Sequence, residues 1–230
     1  MKRWAALLMV VAVAACAEPK TEVRETRYVF GTLVEFIIRT TDEGAAKRAI
    51  AAVDRDFQRM HKDWHAWKAG GEVVALNRAI ADGKGMEVSP FVLPLIKRGR
   101  DFETLSGGLF NPAIGNALDV WGFHTDEPVQ GRLPDFGAVR ALADAAPSMQ
   151  DLIIQGEYVS STNPSVSLDF GGFAKGVALD MAVAKLKALG IENAIVVKKH
   201  PCNFVPLGNC SLRKAVGAVR GLVCKRAFVN

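Results

Sequence analysis

Residues 17–197 contain no cysteine, so neither a disulfide framework nor a thiolate zinc site holds this stretch together. The three later cysteines, Cys202, Cys210 and Cys224, match no C-x-x-C spacing and are odd in number; no function is assigned to them. No Asp or Glu follows Glu192. No basic stripe interleaved with aromatics crosses the body. Of the net charge of +5, Lys2, Arg3 and the seven Lys/Arg of residues 198–230 supply +9, which leaves residues 4–197 at −4. An acidic body argues against nucleic acid as a partner. The four histidines, His61, His65, His124 and His200, form no H-E-x-x-H or triad-like grouping, and a surface or packing role is expected for each. No internal repeat is present. The apolar run over residues 4–17 is too short to span a bilayer as a mature helix.

That run is right for the core of a signal peptide, following Met1-Lys2-Arg3. It ends Val13-Ala14-Ala15-Cys16, similar to the lipobox of bacterial lipoproteins, in which Cys16 becomes the lipidated first residue; the other reading is an ordinary signal cleaved near Ala15. Either one takes the protein out of the cytosol. The expected location is the cell envelope, on the periplasmic side of a bacterial membrane, held there by a lipid. With 230 residues, half of them hydrophobic, the mature part has enough material for the core of one domain.

Along the chain, residues 17–27 read as a polar linker and residues 28–38 as a strand. Ala46, Ile50, Val53, Phe57 and Met60 follow three-four spacing, which predicts a helix over residues 42–61. Shorter helices are expected over residues 72–80 and 89–105, with Ser89-Pro90 at the start of the second, and a third from Asp135 to Asp144. Residues 151–155, 158–161 and 166–170 read as three strands of a meander.

The stretch V-S-L-D-F-G-G-F-A-K-G-V-A-L-D, residues 166–180, organises the rest. A strand runs through Gly171-Gly172 into a helix that carries Leu179, Val183, Leu186 and Leu189 on one face. Such a turn aims the unpaired N–H groups of a first helical turn beyond the strand end, and Lys175 adds a positive charge there. Phosphate suits that place. Asp169 sets a carboxylate beside it, so a divalent cation bridging to the phosphates is compatible with the pattern. The P-loop pattern itself is not met, because Lys175 precedes Gly176.

Six motifs in order resemble the FAD:protein FMN transferases, the ApbE-type lipoproteins. Phe30-Gly31-Thr32 is similar to that family's M-G-T, and Leu76-Asn77 to its L-N. Ser106-Gly107-Gly108-Leu109-Phe110-Asn111-Pro112 is similar to T-x-G-x-F-D-P, Trp121-Gly122-Phe123 to W-G-F, and residues 168–176 to L-D-[LF]-G-A-I-A-K-G. Gly190-Ile191-Glu192-Asn193-Ala194 is similar to G-[IV]-x-N-A. The resemblance implies an α+β fold related to the T-fold, a mixed sheet with flanking helices, over residues 28–197. It also implies a Mg²⁺-dependent transfer of FMN from FAD to a Thr or Ser hydroxyl of a target flavoprotein, with AMP released. By position it makes Lys175 the catalytic residue and Phe30, Asn77, Gly108, Asn111, Asp169, Gly172 and Lys175 the flavin-nucleotide contacts. Gly172 stands where the family has an alanine whose backbone carbonyl holds the metal.

Departures accompany the resemblance. Phe30 replaces a methionine and Asn111 an aspartate. After Val197 the family continues through a G-G-[DN] loop, an H-x-x-[DN]-P-x-T-G segment and a late aspartate and threonine of the metal site, none of which this chain has. The basic residues 198–230 therefore read as a tail foreign to the fold, with the C-terminal part of the fold missing, as a shifted reading frame would produce. A non-catalytic flavin-nucleotide-binding lipoprotein, or a structural one whose glycine pair is only a tight turn, are the other readings. Trp64, Trp67 and Trp121 are candidates to stack on an isoalloxazine ring or to pack in the core.

Overall fold

Thr21–Val29 (β1) and Thr32–Thr40 (β2) pair antiparallel, from Thr21 opposite Thr40 to Val29 opposite Thr32. The two residues between them, Phe30 and Gly31, sit at φ 56° and 66°. Two successive left-handed residues make the turn whose twist matches the flanking strands. The expected linker over residues 17–27 and the single strand over 28–38 are both corrected by this hairpin. Its first strand lies at a sheet edge and is charged, with Arg24–Glu22 at 2.6 Å, Arg39–Glu22 at 3.4 Å and Arg27 paired to Glu25. Charge on an edge strand deters pairing with another chain; the same residues imitate a linker in sequence.

The computed structural model describes residues 21–125, 131, 133–199 and 227–229. The leader with Cys16, and Cys202, Cys210 and Cys224, lie outside them. Among the described residues no helix is long and apolar enough to cross a membrane.

The described residues divide into two compact units, one up to Asp54 and from Met181, the other Arg55–Asp180. In the first, β2 pairs with Ala194–Lys199 (β6), which pairs in turn with Ala227–Val229 (β7), giving the order β1-β2-β6-β7. The expected foreign tail thus contributes Lys198 and Lys199 to β6 and three residues to β7. On β2, Thr32, Val34, Phe36 and Ile38 are buried and the residues between them are not. That is the period of two by which a strand turns one face to a core.

The helix Glu43–Asp63 (α1) begins in this unit and ends in the other. The second unit continues with Glu72–Ala81 (α2), Met86–Glu87 (β3), Leu93–Leu105 (α3), Gly115–Val120 (α4) and Phe136–Ala145 (α5). A 3₁₀ turn, Met149–Asp151, leads into Leu152–Gln155 (β4) and Tyr158–Ser161 (β5). The last helix, Ala174–Ala188 (α6), starts in this unit and ends in the first. The small sheet has the order β3-β5-β4. Its third strand is β3, not residues 166–170, which correct the expected meander. Leu76, Ile80, Leu95, Ile96, Met149, Leu168 and Phe170 are fully buried in this unit. Buried Glu103 accepts from Ser148 Oγ at 2.9 Å, Met149 N–H at 3.3 Å and Gln150 Nε2 at 3.2 Å, which joins α3 to the 3₁₀ turn. A buried carboxylate needs such donors.

Candidate functional site

Residues 166–170 are extended without joining a sheet. On one edge their backbone meets the loop before α4: Ser167 N–H donates to Ala113 O at 3.0 Å, Asp169 N–H to Pro112 O at 2.9 Å, and Gly115 N–H to Ser167 O at 2.7 Å. Only glycine permits that approach. A methyl group at position 115 would meet Ser167 Oγ at 2.7 Å and its carbonyl oxygen at 2.8 Å. On the other edge the Asn77 side chain takes the place of a strand. Leu168 N–H donates to Asn77 Oδ1 at 2.7 Å, and Asn77 Nδ2 donates to Leu168 O at 3.0 Å.

Two carboxylate oxygens secure the next step. Asp169 Oδ1 accepts from Gly171 N–H at 2.7 Å and Oδ2 lies 3.0 Å from His124 Nε2. Phe170 is fully buried, and its carbonyl accepts from Phe173 N–H at 3.0 Å and Ala174 N–H at 2.8 Å. These bonds correct the expectation that the first-turn N–H groups all point outward, since those of Gly171, Phe173, Ala174 and Gly176 are engaged within the turn. Gly172 differs. It is exposed, and among the described residues it makes no hydrogen bond through either backbone group. A Cβ there would meet the Phe110 ring at 3.1 Å. Phe110 belongs to a cluster of edge-to-face rings with Phe102, Phe170 and Phe173, whose centroids lie 5.1 to 6.1 Å apart. Lys175 follows on the first turn of α6, half-buried. An open backbone N–H, the positive end of a helix and an ammonium group thus occur within four residues, a combination suited to an anion.

The other positions singled out from the sequence divide. Gly108, at φ 83°, donates its N–H to Glu103 O at 2.9 Å and ends α3. Asn111 accepts from Ala113 N–H at 2.8 Å and donates to Pro147 O at 2.7 Å, and it lines a cavity of about 290 Å³ with Ile114, Ala117, Val139 and Leu142. Asn77 and Asn111 are therefore braces of the segments they touch. Phe30 occupies the hairpin turn of the first unit. Among the described residues no group of three or more His, Cys, Asp or Glu side chains converges on a metal position.

Sequence pattern does not single out His124 as a site residue, whereas Trp67 is among the candidates for ring stacking. The contact of His124 with Asp169 spans 45 residues of chain, and no local spacing signals it. The Trp67 ring lies 6.2 Å from that of His124 at 21°, with His65 edge-on at 4.6 Å and the Lys68 ammonium 5.0 Å from its centroid. Trp64 is core: it is buried and donates Nε1–H to Phe91 O at 2.9 Å. Trp121 is exposed. Burial, then the Lys68 charge, hold His61 below the usual imidazole range.

A model of the ApbE family matches residues 30–197. The chain is 44% identical over 192 residues to a FAD:protein FMN transferase of Rhodobacter capsulatus, covering 84% of this chain and 36% of that protein. It is 23% identical over 207 residues to one of Vibrio cholerae, covering 85% and 58%. The chain thus spans about a third to somewhat over half of the length of these curated relatives. Among solved structures, the apo form of the Pseudomonas stutzeri flavinyl transferase ApbE superposes with a TM-score of 0.70 at 22% identity, over 80% of this chain and 60% of that one. The flavin transferase ApbE from Vibrio cholerae gives 0.67 at 21% identity, over 78% and 57%. Likeness at that identity shows the fold, an α+β architecture of this type.

Proposed function

This chain belongs to the ApbE family, and we propose that it binds FAD and transfers FMN from it to a Thr or Ser hydroxyl of a target flavoprotein. The observation that carries the reading is the Gly172 backbone, exposed and uncommitted among the described residues, set between Asp169 and Lys175 on the motif most similar to the family's. The two linked phosphates of FAD suit that mouth, where a helix N-terminus, an amide and an ammonium group offset their charge.

In the reaction the acceptor oxygen bonds to the phosphorus next to riboflavin. The bond from that phosphorus to the bridging oxygen breaks, AMP leaves with the bridging oxygen, and the hydroxyl proton passes to solvent or to the departing phosphate. Positioning and charge neutralisation dominate catalysis of this class. Lys175 neutralises charge on the transferring phosphate, the Gly172 N–H orients it, and the pinned Asp169 keeps the glycine turn in shape. Gly108, Asn77 and Asn111 belong to the proposal as nucleotide contacts, the two asparagines also as braces. Mg²⁺ supplies further charge neutralisation when bound. The Gly172 carbonyl is the group here that would face it, and no step above depends on the ion.

Incubation of the full chain with FAD, Mg²⁺ and an acceptor carrying a flavinylation site should yield a fluorescent covalent product that survives denaturation, with AMP in equal amount. No product and no retained FAD would defeat the reading. A second reading is a flavin-nucleotide binder without turnover, for which retained FAD without product is the signature.

We also propose that a lipid on Cys16 anchors the protein on the periplasmic face of the membrane. Labelled palmitate should enter the protein in bacterial cells and fail to enter Cys16→Ser, whereas equal labelling of both would rule the anchor out.

A further inference from the structure

Gly122 takes φ 78° and donates its N–H to Asp119 O at 2.8 Å, while Phe123 N–H reaches Leu118 O at 2.9 Å. This left-handed stop ends α4 and reverses the chain. The side chain that follows, His124, is 9% exposed and has its Nε2 3.0 Å from Asp169 Oδ2. A carboxylate only accepts, so Nε2 carries the proton of that bond. Nδ1 lies 3.7 Å from Asp119 Oδ1, and the ring lies nearly parallel to the indole of Trp67. Asp169 Oδ1 is meanwhile held by the Gly171 N–H. One imidazole therefore touches a carboxylate beside the glycine turn and an aromatic ring 57 residues earlier in the chain.

Resting on the flavin reading, we infer that His124 is a positioning residue of this site: its Nε2–H bond fixes the Asp169 carboxylate beside the Gly171-Gly172 turn that receives a flavin dinucleotide, and its ring face fixes the Trp67 indole. Without it, Oδ2 of Asp169 loses its described donor and the carboxylate turns on one remaining bond. The indole then loses the ring that sets its tilt. Groups that orient a site residue commonly matter to binding nearly as much as the residue itself.

Three variants of the full chain separate the contacts. Gln at position 124 keeps a donor within reach of Asp169 and lacks the ring face, Phe keeps the face and lacks the donor, and Ala lacks both. Without flavin, the Asp169 carboxylate ¹³C and Trp67 indole N–H resonances report the bracing directly. His124→Phe should shift the first mainly, His124→Gln the second mainly, and His124→Ala both. With FAD added, His124→Ala should weaken binding about tenfold, and His124→Gln should recover most of that loss with an unchanged thermal midpoint. Unmoved resonances in all three variants, or equal FAD affinity throughout, would overturn the inference. If the unaltered chain binds no FAD, the flavin reading falls, and the bracing stands or falls on the two resonances.

Discussion

Phe170→Ala should lower the unfolding free energy by about 3–5 kcal/mol, the usual cost of removing a fully buried phenyl ring. Phe170 is 0% exposed and stacks edge-to-face on Phe173 at 5.7 Å. Collapse into the cavity is hindered on one side because α3 presents Gly99 there, with the ring 3.6 Å from where a Cβ would stand. The same residue's carbonyl anchors the N–H groups of Phe173 and Ala174, so a shifted backbone at position 170 also loosens the start of α6. Denaturant titration followed by tryptophan emission measures the loss, and Phe170→Leu should recover more than half of it. A change below about 1 kcal/mol would mean that the ring is not packed as described.

Asn77→Leu should cost about 2–4 kcal/mol, although the two side chains share the same branched outline. The substitution removes partners from both backbone groups of Leu168, and each polar group left unsatisfied costs about 1–3 kcal/mol. Leu168 is fully buried, so water replaces the lost partners poorly. Asn77→Asp should fall between, since a carboxylate still accepts from the Leu168 N–H yet faces its carbonyl oxygen. Hydrogen exchange at the Leu168 amide gives the direct reading. Exchange as slow in Asn77→Leu as in the unaltered chain would show that the pairing does not hold this segment.

Sequence made the helices legible where burial repeats every three or four residues, as on α1, whose predicted inward residues Ala46, Ile50, Val53, Phe57 and Met60 are all buried. The turn from residue 170 into α6 was legible too, because glycine pairs and a following lysine are local. Charge hid β1: its Arg and Glu residues suit an exposed sheet edge and an unstructured linker equally well. Residues 166–170 alternate as a strand does, but a side chain from α2 occupies the edge where a strand would pair, and alternation cannot register that. The role of His124 was hidden for a related reason. Its partners, Trp67 and Asp169, are distant in sequence on both sides, so counting histidine spacings dismissed a residue that reaches the site through folding. Trp64 and Trp67, three residues apart, had the same candidacy from composition; the hydrogen bond to Phe91 O commits Trp64 to the core.

The claim beneath the functional reading is that the phosphates of FAD, not its ring alone, are held at Gly172 and Lys175. Titrating the full chain and its Lys175→Met variant with FAD and with riboflavin, followed by flavin fluorescence, compares the two directly. FAD should bind the unaltered chain about 10- to 100-fold more tightly than riboflavin, and Lys175→Met should remove most of that preference, as loss of a charge-assisted contact to phosphate would. Equal affinity for both flavins, or a preference for FAD that survives Lys175→Met unchanged, would place the phosphates elsewhere and contradict the account.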